Sequence, residues 1–119
     1  MKEDKVTNYK DLVVWQKSME LVKNVYLICR QLPGSERFVL SDQIRRSAIS
    51  IPSNIAEGQK RLNRAETIQF TGIALGSAAE LETQLILIEQ LYDIPTRAEV
   101  DSLLDISCML FGLVRSLRT

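Results

Sequence analysis

Arg46, Glu57 and Glu80 are the side chains of this chain whose types come closest to an active site. Two carboxylates and a guanidinium sharing one cavity could move a proton and hold an anion. The partners such chemistry needs are absent from the sequence. The chain has 119 residues and no histidine, so it lacks the commonest general base and the imidazole metal ligand at once. Carboxylate-bridged di-iron bundles require Glu-x-x-His on their helices and are excluded. There is no cysteine cluster and no glycine-rich phosphate loop. The expectation is a non-enzymatic protein without metal, cofactor or small-molecule substrate.

Cys29 and Cys108 sit inside apolar helical runs and read as free, buried thiols in a reduced, cytoplasmic setting. On antiparallel helices they would be offset by on the order of 10 Å, too far for a disulfide. The start, M-K-E-D-K, has no hydrophobic signal core, and no run approaches the length of a membrane span. Charges balance at 15 basic and 15 acidic residues, which argues against an indiscriminate nucleic-acid binder. The balance hides a separation. Arg37 to Arg64 holds six basic residues against two acids, and Glu80 to Asp105 holds seven acids against one Arg. Arg45, Arg46, Lys60, Arg61 and Arg64, with Arg115 and Arg118 near the C-terminus, are the candidates for contacting RNA or DNA.

The stretch that must position the central residues runs S-D-Q-I-R-R-S-A-I-S-I-P-S-N-I-A-E-G, from Ser41 to Gly58. Leu40, Ile44, Ala48, Ile51 and Ile55 recur at steps of three and four and share one helical face. Gln43, Arg46, Ser50, Ser53 and Glu57 share another. Ser41 is the expected cap, and Gly58 the expected left-handed residue near the helix end. Pro52 cannot donate to the Ala48 carbonyl and crowds it, at a usual cost of roughly 3 kcal/mol, so a kink is expected. The sharper alternative is a kink that opens a pocket for a partner. Ser50, Ser53 and Asn54 are poor choices for a solvated helix interior, which implies cover by another helix or subunit. A buried charge needs a partner, and Arg46, Asn54, Glu57, Ser77 and Glu80 are the candidates for a buried polar network.

A first helix is expected from Tyr9 or Lys10 to about Leu32, after a loosely ordered segment over residues 1–8. Its seam reads Leu12, Trp15, Met19, Val22, Tyr26 and Cys29. Val14, Leu21, Val25 and Ile28 widen the apolar face, pointing to a second contact such as one between subunits. Leu32-Pro33-Gly34-Ser35 ends the helix. The second helix is expected over Glu36 to Gln59. A third follows from Arg64 to Tyr92 after an Asn63 cap, and a fourth from Arg97 to Leu117 after a Thr96 cap.

On the third helix Phe70, Ala74, Ser77, Leu81, Leu85, Ile88 and Tyr92 form the seam, and Gly72, Gly76, Ala79 and Thr83 a stripe of small residues. Each interior Gly costs about 1 kcal/mol against Ala. Close approach of a neighbour, inside the bundle or between subunits, would offset that cost. Val14, Leu21, Val25, Gly72 and Gly76 are thus the oligomer-interface candidates. Four long helices, short connectors and no strand give an all-α fold. It is an antiparallel up-down-up-down four-helix bundle, one domain over residues 1–119.

In that topology one end gathers Lys2, Lys5, Lys10, Lys60, Arg61, Arg64, Arg115 and Arg118. The other gathers Glu89, Asp93, Glu99, Asp101 and Asp105. Helix dipoles explain part of this, but Lys10 and Arg64 lie at helix starts, where acids are favoured.

Three stretches carry a family resemblance. Y-K-D-L-V-V-W-Q-K at Tyr9 to Lys17 resembles the opening of the bacterial four-helix-bundle proteins called 23S rRNA intervening-sequence proteins. Q-I-R-R-S-A-I-S-I-P-S-N-I-A-E-G at Gln43 to Gly58 resembles their central signature. A-L-G-S-A-A-E-L-E-T-Q-L at Ala74 to Leu85 resembles their third-helix signature. The family's name records where some of its genes sit and specifies no activity. The family is similar in fold to the accessory proteins of diversity-generating retroelements, ring-shaped homopentamers that work with a reverse transcriptase and nucleic acid. The resemblance implies a homo-oligomer, a homopentamer in particular. Those proteins are strongly basic, whereas this chain is neutral overall. The combined expectation is an oligomeric binding or scaffold module that associates with RNA or DNA through its basic end. The alternative is a protein-protein interaction module with no nucleic-acid role.

Overall fold

Stripes of apolar residues at helical spacing organise the whole of the computed structural model, which describes residues 8–118. Four α-helices run Val13–Cys29 (α1), Leu40–Gln59 (α2), Arg64–Tyr92 (α3) and Arg97–Leu117 (α4). Short 3-10 turns at Tyr9–Asp11 and Gly34–Glu36 precede α1 and α2, and no strand occurs among the described residues. Residues 1–7 of the expected loose N-terminal segment, with Lys2 and Lys5, lie outside the described residues. None of the helices is long and apolar enough to cross a membrane.

Neighbouring helices are antiparallel, as residue-to-residue contacts demonstrate. Between α1 and α2, Cys29 meets Ser41 and Tyr26 meets Arg45. Between α2 and α3, Gly58 meets Thr67 and Ser50 meets Ser77. Numbers rise on one helix as they fall on the next. α3 packs in turn on α4, and α4 closes back on α1. The result is an up-down-up-down bundle of 53 × 21 × 20 Å. Its core is continuous, with Ile44, Ile51, Leu81, Leu85, Ile88, Ile106 and Leu110 excluded from solvent. Burying each such side chain contributes about 1.5–3 kcal/mol.

Several sequence expectations are corrected. The first helix does not start at Tyr9. Asn8 caps a separate 3-10 turn by accepting from Lys10 N–H at 2.9 Å, and Leu12 is extended before α1 begins. The inward face of α1 is Val14, Ser18, Leu21, Val25 and Ile28, while Met19 and Tyr26 of the expected seam are 39% exposed. Ser18 disguised this stripe. Its hydroxyl donates to the Val14 carbonyl at 2.7 Å, so it is buried without losing a hydrogen bond. Val14, Leu21 and Val25 are therefore core residues, which removes them as interface candidates.

Ser41 lies inside α2, buried, and Val39 occupies the cap position without a side-chain bond. Thr96 occupies the N-cap position of α4 as expected, but its side chain makes no capping bond. Its hydroxyl donates to the Leu85 carbonyl at 3.0 Å and so ties the start of α4 to α3. Asn63 caps α3 as expected, accepting from Glu66 N–H at 2.9 Å. α3 ends at Asp93, whose φ of 57° is left-handed, a conformation that Asp tolerates better than most residues. α2 continues through Pro52, whose ring is buried. Of the two thiols, Cys29 is buried as expected but Cys108 is exposed.

Candidate nucleic-acid interface

The end of α2, the start of α3, the start of α1 and the end of α4 share one pole. The α2–α3 turn there is held from below by close helix contact. Gly58 is helical rather than left-handed, and its role is proximity. A Cβ at Gly58 would lie 3.1 Å from Phe70 Cβ and 3.3 Å from the Thr67 carbonyl oxygen. Thr67 Oγ1 also reaches the Gly58 carbonyl at 2.9 Å and the Asn63 carbonyl at 3.2 Å.

On this base stand the cations. Arg61 pairs with Glu57 at 2.6 Å, and its guanidinium lies 4.5 Å from the Phe70 ring centroid. Lys10, Lys60, Arg64, Arg115 and Arg118 are exposed. Leu62, at the tip of the turn, is fully exposed between them. Among the described residues, the acids of this pole are Asp11, Glu57 and Glu66. Tyr9 completes the surface. Its ring meets Trp15 edge-on at 5.5 Å, with Lys10 Nζ 5.9 Å from its centroid. Together Tyr9, Ser53, Ala56, Glu57, Lys60 and Arg61 line an open cleft of about 660 Å³. Sequence reasoning missed Tyr9 as a site residue. The signal was Asn8, a good cap placed too early for the α1 stripe.

Arg45 and Arg46 do not join this pole. They lie near the start of α2, where Arg45 sits 5.7 Å from the Tyr26 ring centroid and Arg46 pairs with Asp42 at 3.3 Å. Arg30, Arg37 and Arg97 share that opposite pole with Glu89, Asp93, Glu99 and Asp101, so it is mixed in sign rather than acidic. Burial pushes the Cys29 thiol up in pKa there, against the opposing pull of Arg45 and Ser41.

The polar network is smaller than expected. Ser50 and Ser77 hydroxyls meet at 2.7 Å, and Asn54 Nδ2 donates to the Ser50 carbonyl at 2.8 Å and its hydroxyl at 2.9 Å. These three are half-buried between α2 and α3, so another helix of the same chain supplies the cover that Ser50 and Asn54 implied. Arg46, Glu57 and Glu80 are exposed, because their long side chains reach solvent from the helix flanks. Arg46 and Glu80 line one groove with Ser50 and Ser77, while Glu57 stands apart on Arg61. The three residues that could have formed a catalytic cavity do not share one.

Gly72 and Gly76 face open space, with nothing within 4 Å of an added Cβ. Packing inside the bundle therefore does not explain them. The same side of α3 exposes Ile73, Ile86 and Leu87 at 40–43%.

The family model described as 23S rRNA-intervening sequence protein matches residues 10–110. The chain belongs to this family. A solved structure from Bacteroides thetaiotaomicron, a protein of unknown function from the S23 ribosomal protein family, is similar to it. It is 30% identical with a TM-score of 0.77, and the match covers 86% of this chain and 98% of that one. No curated protein matches the chain. The match to the intervening-sequence family takes in α1, α2 and α3 whole, α4 as far as Leu110, and every residue of the cleft except Tyr9.

Proposed function

We propose that this member of the 23S rRNA-intervening sequence family is a non-enzymatic, homo-oligomeric binding module of the cytoplasm that takes RNA or DNA on its basic pole. One observation carries the reading: Lys10, Lys60, Arg61, Arg64, Arg115 and Arg118 converge from four chain segments on one end of the bundle. Such a patch steers polyanions even when the total charge is zero.

Assembly is supported by the face of α3 around Gly72 and Gly76, which bears exposed apolar and small side chains and lets a second backbone approach closely. Val13, Met19, Tyr26 and Leu27 of α1 are exposed on a different side. Two distinct patches are what a head-to-tail ring requires, and five copies is the number the family resemblance implies.

The test is fluorescence anisotropy with labelled RNA and DNA at low salt, with light scattering on the same samples. Binding is expected to weaken steeply as salt rises. It is expected to disappear when Lys60, Arg61 and Arg64 are reversed to Glu. Binding unchanged by that reversal would sink the nucleic-acid role. The alternative, a protein partner without nucleic acid, has its own observation: Phe38 and Val39, at the opposite pole, are 82% and 58% exposed.

A further inference from the structure

We infer that the basic pole selects single-stranded over duplex nucleic acid, by stacking one unpaired base in the cleft between Tyr9 and Arg61. This rests on the nucleic-acid reading above and adds the class of strand.

The cleft is built for a base rather than a phosphate. Glu57 lies on its wall and pairs with Arg61 at 2.6 Å, so much of the Arg61 charge is already met. A carboxylate there repels a phosphate but accepts from the exocyclic amine of a base. What Arg61 retains is a fixed plane, clamped between Glu57 and the Phe70 ring 4.5 Å away. Tyr9 is fixed too, by the Asn8-capped turn and by Trp15 at 5.5 Å. Aromatic rings and guanidinium planes are the surfaces on which splayed bases stack. Lys10, whose Nζ lies over the Tyr9 ring at 5.9 Å, and Lys60 on the cleft wall are exposed point charges, the form suited to backbone phosphates. The base takes the part of the Tyr9 ring that Lys10 leaves open. A duplex keeps its bases stacked inside and would bring phosphates to Glu57 instead.

The experiment measures anisotropy of a fluorescein-labelled mixed-sequence RNA strand, the same sequence as DNA, and each strand annealed to its complement, at low salt. The single strands are expected to bind about tenfold tighter than the duplexes, the scale of losing one stacked base. Tyr9→Ala should remove about that factor for single strands and leave duplex affinity unchanged, whereas Tyr9→Phe retains it. Arg61→Lys, which keeps the charge and loses the plane, should mimic Tyr9→Ala. Lys60→Gln should weaken both forms alike. Melting curves of each variant verify the fold, and the two independent stacking variants guard against one failing to fold. Equal or tighter binding of duplex, or single-strand binding indifferent to both stacking variants, overturns the inference while the nucleic-acid role stands. Binding of neither form overturns both.

Discussion

Three glycines with the same helical cost have opposite consequences when substituted. Gly58 is enclosed by Phe70 Cβ and the Thr67 backbone, neither of which can swing away. Gly58→Ala should therefore lose more to overpacking, typically about 1–3 kcal/mol, than it gains in helix propensity, and its melting temperature should fall. Gly72→Ala and Gly76→Ala meet open space and should each stabilise the dissociated chain by about 1 kcal/mol. The same two changes should loosen the assembly in light scattering if α3 carries the subunit contact. Tyr92 gives a pH-dependent counterpart. Its hydroxyl donates to Glu36, and that bond, reinforced by burial and the carboxylate charge, holds its pKa above the ordinary value of 10.0. A group whose folded pKa is raised contributes fully below the unfolded value and loses its contribution as pH rises through the folded one. Urea unfolding should thus weaken more steeply above pH 10.0 for the native chain than for Tyr92→Phe.

At the level of the helices, the seam between α2 and α3 depends on one polar cluster. Ser77→Ala leaves the half-buried Ser50 hydroxyl with one partner fewer, Asn54 alone remaining on it. It should cost about 1 kcal/mol in urea unfolding, and a double-mutant cycle with Ser50→Ala should reveal coupling between the two. The bounds of α3 and α4 were legible in the sequence because breakers and caps bracket long apolar stripes: Asn63 before one, Asp93-Ile94-Pro95-Thr96 between them. The rotation of α1 was not legible. Ser18 looked polar, yet a hydroxyl that bonds its own helix carbonyl can be buried as readily as a small apolar group. Thr71 does the same on α3, donating to the Thr67 carbonyl at 2.7 Å. The basic pole could be read once the helices were ordered, because connectors alone decide which ends meet. The cleft could not, since Tyr9 reaches Ser53 and Arg61 only through tertiary folding.

Over the whole molecule, most of what joins the described helices is uncharged, the exceptions being the Tyr92–Glu36 bond and the rings beneath Arg45 and Arg61. The core that joins the helices is apolar, and the cross-helix polar ties at Ser50–Ser77 and Thr96–Leu85 involve neutral groups. Lys23–Glu20, Arg46–Asp42, Arg61–Glu57 and Arg97–Asp101 are ion pairs between residues three or four apart, and such helical pairs contribute only about 0.3–0.5 kcal/mol. Raising ionic strength should therefore leave the urea midpoint nearly constant, and it should abolish the polyanion binding proposed for the basic pole. For anyone purifying the protein, a concentrated brine wash would strip a bound strand from an intact fold. The ratio of absorbance at 260 and 280 nm before and after the wash would then tell whether a strand had come with the protein from the cell.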